Sequence, residues 1–183
     1  VVGTIAMVVA SLQAVFQTDA RRLLAYSSVA QVGYMMLGLG MGTASGLSAG
    51  LLHLMNHALM KGALFMALGA FALNFGVRRV KDLAGMSKTM PASVTAFTIA
   101  GLSLVGVPLT SLLALAYVAR LLSAIWMDAP PSHHGELMQR RLAPWMVLVP
   151  MSFLALANVY FFFHADPLVW LARSAAEAVM GGN

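Results

Sequence analysis

The chain has 183 residues, of which 60% are hydrophobic and only 9% charged, with a formal net charge of +5. A soluble domain carries about a quarter of its residues as charges, so this composition excludes a water-facing globular surface and makes lipid the main solvent. Cysteine is absent, which excludes disulfides and thiolate metal sites.

A bilayer core of about 30 Å needs about 20 apolar residues in helical form. The chain opens on VVGTIAMVVASLQAVFQ, with no basic stretch and no initiating Met. No cleavable leader is expected there, and the opening reads as the inside of a helix in a longer protein. In chain order, the apolar runs predict helices at about 1–17, 23–41, 46–75, 91–107, 111–127 and 144–163. The expected fold is an all-α integral membrane bundle of about six transmembrane helices. Glycines 33, 38, 40, 42 and 46 mark close packing or a tight turn between the second and third helices. The fourth helix is expected to break at Gly106-Val107-Pro108, because proline removes a helical hydrogen bond. The last stretch, DPLVWLARSAAEAVM from Asp166, is amphipathic and too short and polar to span, so residues 164–183 are expected to lie at the interface.

The charges fall into order on this plan. Arg21 and Arg22 follow the first helix, Arg78, Arg79, Lys81 and Lys88 follow the third, and Arg140 and Arg141 lie in the 128–143 loop. The other two connections carry no charge. Basic residues mark the cytoplasmic face, so both ends of the stretch are expected on the outer face of the cell inner (plasma) membrane. Because the basic residues follow topology, nucleic-acid binding is not expected.

Against this order, one helix carries basic groups at membrane depth. In LLHLMNHALMKGALF, His53, His57 and Lys61 are spaced i, i+4, i+8. They fit within an arc of about 80° and climb about 12 Å along one helix face. A charged Lys at the bilayer centre costs roughly 2.5 to 3.5 kcal/mol on insertion scales, and folding does not require that cost. One reading has the histidines bonding neighbouring helices while Lys61 snorkels, although Lys61 is too central to reach an interface easily. A second reading is a shared metal, but no carboxylate or cysteine accompanies the pair, and no metal or cofactor is expected. The third, favoured here, is a proton relay: a ladder of groups able to take up and release protons, bridged by water. Ser27, Gln31 and Tyr34 form a polar stripe on the second helix, suited to bonding a neighbour or to holding water beside the ladder. Arg120 joins Ser27, Gln31 and Tyr34 as a candidate supporting polar group, although it lies close enough to a helix end to snorkel, and His133 and His134 fall in a polar loop. No nucleophile–base pair or nucleotide loop appears, so the chain is not expected to be catalytic by itself.

The runs TDARRLLAYSSVAQVGYMMLGLG, GLLHLMNHALMKGALFMALGA, KDLAGMSKTMP and LSLVGVPLT resemble the antiporter-like proton-channel subunits. These are shared by NADH:quinone oxidoreductase, membrane-bound hydrogenases and multisubunit cation/proton antiporters. NHALMKGALFMALGA and LVPMSFLALANVYFF are most similar to the D-type subunit of the Mrp-type Na⁺/H⁺ antiporter. The resemblance implies that residues 1–127 form the second of two inverted repeats, that 144–163 is a final transmembrane helix, and that Lys61, His53 and His57 belong to a central hydrophilic axis. It also implies partner membrane subunits, and protons with Na⁺ as the transported ions. The resemblance is incomplete. The first repeat with its membrane glutamate is absent, Thr110 runs directly into SLLALAYVARLL where a lysine-bearing half-helix is expected, and Ser123 stands where an acidic residue commonly follows Arg120. The expected function is a proton-translocating subunit of a cation/proton antiporter, with an oxidoreductase or hydrogenase subunit and a non-conducting structural remnant as alternatives.

Overall fold

The computed structural model describes residues 1–105, 111–128 and 144–181, with side chains of 111 and 112 excepted. Helix α1 covers Val2–Phe16, α2 Ala20–Gly40 and α3 Ala44–Phe75. A 3₁₀ turn at Val80–Leu83 and the short α4, Met86–Thr89, lead into α5, Pro91–Ser103. Then come α6 (Ser111–Trp126), α7 (Trp145–Phe163) and α8 (Asp166–Met180). Among the described residues there is no strand, only one isolated bridge between Asp19 and Arg79.

α2, α3 and α7 are long and apolar enough to cross a membrane. α1, α5 and α6 are apolar but shorter, at 15, 13 and 16 residues. Among the described residues, six apolar helices therefore stand where six are expected, three of them at full spanning length. α5 ends at Ser103, before the predicted limit, and the Gly106-Val107-Pro108 break lies outside the described residues. The 128–143 loop, with His133, His134, Arg140 and Arg141, is outside them as well, apart from Asp128.

Local chemistry sets the boundaries. Asp19 caps α2 by accepting from the backbone N–H groups of Arg21 and Arg22, which starts the helix three residues before the apolar run does. Gly42, at φ +62°, makes the tight turn into α3, and Thr43 caps that helix through the N–H of Gly46. α3 has 32 residues, and at about 1.5 Å per residue it outruns a bilayer core of about 30 Å. α8 covers part of that excess: Val169, Ala172 and Ala176 line a cleft with Ala44, Ser48 and Leu52.

The basic residues gather at one end. The end of α1 and the start of α2 are tied to the segment after α3 by Ala20 N–H to the Arg78 carbonyl and Val80 N–H to the Thr18 carbonyl, both 2.9 Å. Arg21, Arg22, Arg78, Arg79 and Lys81 thus share this end. On sequence, the 76–90 connection is a plain loop. In the structure it folds back into the bundle, burying Leu83, Met86 and Met90 against a core that includes Leu23, Phe71, Val94 and Phe97. Alternation is hard to see there because the apolar residues are spaced through a run of charges.

Small residues set the spacing of α1 and α2. A Cβ on Gly33 would lie 2.6 Å from the Gly3 carbonyl oxygen, and a Cβ on Gly3 would lie 2.7 Å from that of Gly33. Gly38 and Gly46 meet in the same way across α2 and α3, while Gly40 faces open space. Close backbone approach of this kind is how helices gain dispersion contact in lipid, where no hydrophobic force joins them. Gly33→Ala is therefore expected to push α1 from α2 and to lower stability by about 1–3 kcal/mol. Gly40→Ala should leave it unchanged, with thermal unfolding in detergent as the measurement.

Candidate proton-handling site

The site lies where α2 faces α3. Lys61 is 5% exposed despite its charge. Its Nζ donates to the Leu24 carbonyl at 3.0 Å and to the Ser27 hydroxyl. That carbonyl also accepts from the hydroxyls of Ser27 and Ser28, each at 3.0 Å. Three donors thus converge on one backbone oxygen. The ammonium is held by a helix carbonyl and hydroxyls, with no carboxylate among these partners.

Two turns along α3, His53 Nε2 donates to Gln31 Oε1 at 2.7 Å. The Tyr34 ring packs on His53 with centroids 5.6 Å apart. The rings of His53 and His57 lie nearly parallel, 17° apart in plane and 6.4 Å between centroids. His57 Nε2 is buried and has no hydrogen-bond partner. The three basic side chains thus form one line, anchored on α2 at both ends and open in the middle. The His57 ring is thus stacked on its neighbour without a hydrogen bond at Nε2, a nitrogen that can serve as donor or acceptor according to tautomer.

The predicted polar stripe meets this line. Ser27 pairs with Lys61 and Gln31 with His53, so α2 bonds its neighbour as one of the two sequence readings expects. Arg120 goes elsewhere. Its guanidinium donates to the carbonyls of Val15 at 2.7 Å and Gln17 at 2.9 Å, so it caps the C-terminus of α1 instead of supporting Lys61. Capping by a cation at a helix C-terminus satisfies orphan carbonyls, which snorkelling alone does not explain.

Two polar residues escape the sequence reading. Tyr117 of α6 is fully buried, and its phenol faces the side chains of Ser27 and Gln31, between the two anchored ends. Asn158 of α7 is buried with its amide nitrogen unpartnered. Each is a lone polar residue in an apolar run, and only the polarity of that single position could have flagged it. Among the described residues no group of His, Asp or Glu is placed to hold a metal ion.

Residues 1–128 match the family described as NADH:quinone oxidoreductase/Mrp antiporter, transmembrane. The chain is 50% identical over 100 residues to NADH-quinone oxidoreductase subunit N of Desulforudis audaxviator, an alignment covering 55% of this chain and 20% of that protein. It is 43% identical over 122 residues to the putative antiporter subunit mnhA2 of Staphylococcus haemolyticus, covering 59% of this chain and 15% of that protein. The structure superposes on a chain of the Mrp complex from Dietzia sp. DQ12-45-1b with a TM-score of 0.80 and 22% identity, covering 97% of this chain and 46% of that one. That likeness shows a shared fold. The chain spans a fifth or less of the two curated relatives and under half of the solved chain. With more than half of its length matched, this chain belongs to the NADH:quinone oxidoreductase/Mrp antiporter transmembrane family.

Proposed function

We propose that the chain is a proton-translocating membrane subunit that works inside a hetero-oligomeric complex of the cation/proton antiporter type. The observation that carries this reading is the buried Lys61 ammonium, held by a carbonyl and hydroxyls and aligned with His57 and His53 along one spanning helix. A lysine in such a place changes protonation with its nearest charge, because its desolvation is offset by few fixed partners. A charge approaching from a neighbouring subunit would favour its release of a proton or its reprotonation. His57 and His53 would carry that proton toward the end of the bundle away from the basic segment. Ser27 and the Leu24 carbonyl receive the ammonium when it is charged, and Gln31 fixes the ring of His53.

The clustering of basic residues supports a cytoplasmic location for the end that holds Arg21, Arg22, Arg78 and Arg79. On that reading the starts of α1 and α3 face the outer side of the inner membrane. The antiporter reading is supported by the 43% identity to an antiporter subunit. An oxidoreductase subunit is the second reading, favoured by the 50% identity to a subunit N. Isolation of the native complex separates them. Co-purifying iron–sulfur or flavin subunits mark the oxidoreductase, and Na⁺-dependent proton flux without them marks the antiporter.

In vesicles containing the assembled complex, Lys61→Ala is expected to reduce proton flux at least tenfold. Lys61→Arg should fail almost as fully, because a guanidinium keeps its proton. Flux that survives both substitutions in an assembled complex would refute the relay. Ser27→Ala removes one hydrogen bond to a charged group, an interaction worth about 1.5–3 kcal/mol. It is expected to slow flux severalfold without loss of assembly, as judged by co-purification and initial rates.

A further inference from the structure

We propose that the cleft between the start of α3 and α8 binds one phospholipid headgroup, of the zwitterionic kind that carries a phosphate and a primary ammonium. The cleft has a volume of about 450 Å³. Ser45, Ser48, Arg173 and Glu177 make its polar wall, and Leu52 and Val169 belong to its apolar lining. Its depth places it at the membrane surface. α2 has 21 residues, about 31 Å of helix, which matches a bilayer core of about 30 Å. The 41–43 turn therefore lies at the edge of the core, and Ser45 and Ser48 follow within about 8 Å of it. On α8, Leu168, Ala172 and Ala176 form the buried stripe, while Trp170 on the opposite side is 70% exposed. Tryptophan is enriched at headgroup level, where its ring meets both lipid and water.

The polar groups select the ligand. Arg173 stands beside the start of α3, at the end of the bundle opposite Arg21, Arg22, Arg78 and Arg79. Its guanidinium presents a planar fork that bonds two oxygens of a phosphate. Glu177 lies one turn further along α8 and is exposed, as Arg173 is. A carboxylate there repels a headgroup with net negative charge and accepts hydrogen bonds from an ammonium. A choline headgroup has no N–H to offer it. Ser48 adds a third contact. Its hydroxyl is buried without a hydrogen-bond partner, whereas Ser27, Ser28, Thr98 and Ser103 each bond a carbonyl of their own helix. One change of rotamer turns the Ser48 hydroxyl to an occupant of the cleft, where a phosphate or ester oxygen can accept from it. The apolar lining decides between a lipid and a free solute. Leu52 and Val169 suit the first carbons of an acyl chain, which soluble phosphoethanolamine lacks. The site stands apart from the proton line and does not depend on the function proposed above.

For the test, the assembled complex is placed in phosphatidylcholine vesicles that hold a trace of a photoreactive lipid. This lipid is phosphatidylethanolamine or phosphatidylglycerol with a diazirine near the glycerol end of an acyl chain. After irradiation, labelled peptides of this chain are quantified by mass spectrometry. The ethanolamine lipid is expected to label the peptides holding 44–52 and 166–177 about fivefold more than the glycerol lipid, the scale of a charge pair near the surface. Arg173→Gln should remove most of this labelling, and Glu177→Gln should raise the glycerol lipid to the level of the ethanolamine lipid. Equal labelling by the two lipids in the parent complex, or labelling that Arg173→Gln leaves unchanged, means ordinary boundary lipid and overturns the proposal. Labelling abolished by soluble phosphoethanolamine means that a free solute takes the cleft, which overturns the lipid as its occupant. Should Arg173→Gln fail to assemble, Glu177→Gln, a change of equal size at an exposed position, decides the point. A preference that it leaves intact overturns the proposal.

Discussion

The arrangement depends on how a lysine ammonium is kept inside an apolar bundle. Lys61 meets the Leu24 carbonyl and the Ser27 hydroxyl, both on α2. A carbonyl already serving its own helix offers partial compensation for desolvation, well short of what a carboxylate would give. The charge is thus tolerated and not locked. That difference separates a structural ion pair from a group able to change its protonation; at the far end of the same two helices, α2 and α3 approach closely through glycines 38 and 46.

Packing is uneven along the bundle in a way that serves this chemistry. Toward the basic end, Leu23, Leu24, Leu64, Leu68, Phe71, Leu83, Met86 and Phe97 are almost wholly buried. The folded-back segment after α3 closes that end, and Arg120 seals the tip of α1. Toward the other end, His53 and Asn56 are only partly buried and a cavity stands beside them. The line of His53, His57 and Lys61 thus runs from a loosely packed half of the bundle into a tightly packed one.

Much of this is legible in the sequence. The spans follow from apolar run length, because lipid demands that backbone groups be satisfied within each helix. The alignment of His53, His57 and Lys61 follows from the helical repeat, and the stripe of Ser27 and Gln31 from the same arithmetic. What pairs with what does not follow. Spacing gives the face of a helix but not the neighbour that meets it, so the bond from Arg120 to the end of α1, across 103 and 105 residues of chain, is out of reach. Tyr117 and Asn158 are missed for a related reason. A single polar residue in an apolar helix has no periodicity, and its meaning appears only when its surroundings do. The segment 76–90 reads as a loop because its charges hide Leu83, Met86 and Met90.

The central claim is that Lys61 takes up and releases a proton in the assembled complex. The chain has three lysines, at 61, 81 and 88, so ¹⁵N labelling of lysine in this subunit gives a spectrum simple enough to assign by substitution. Solid-state NMR of the complex in vesicles, recorded across the pH range in which it moves protons, reads the state of each side-chain nitrogen. The account predicts that the signal lost in Lys61→Ala passes between ammonium and amine positions over that range. A Lys61 nitrogen that stays ammonium throughout, in a complex that conducts, would contradict it.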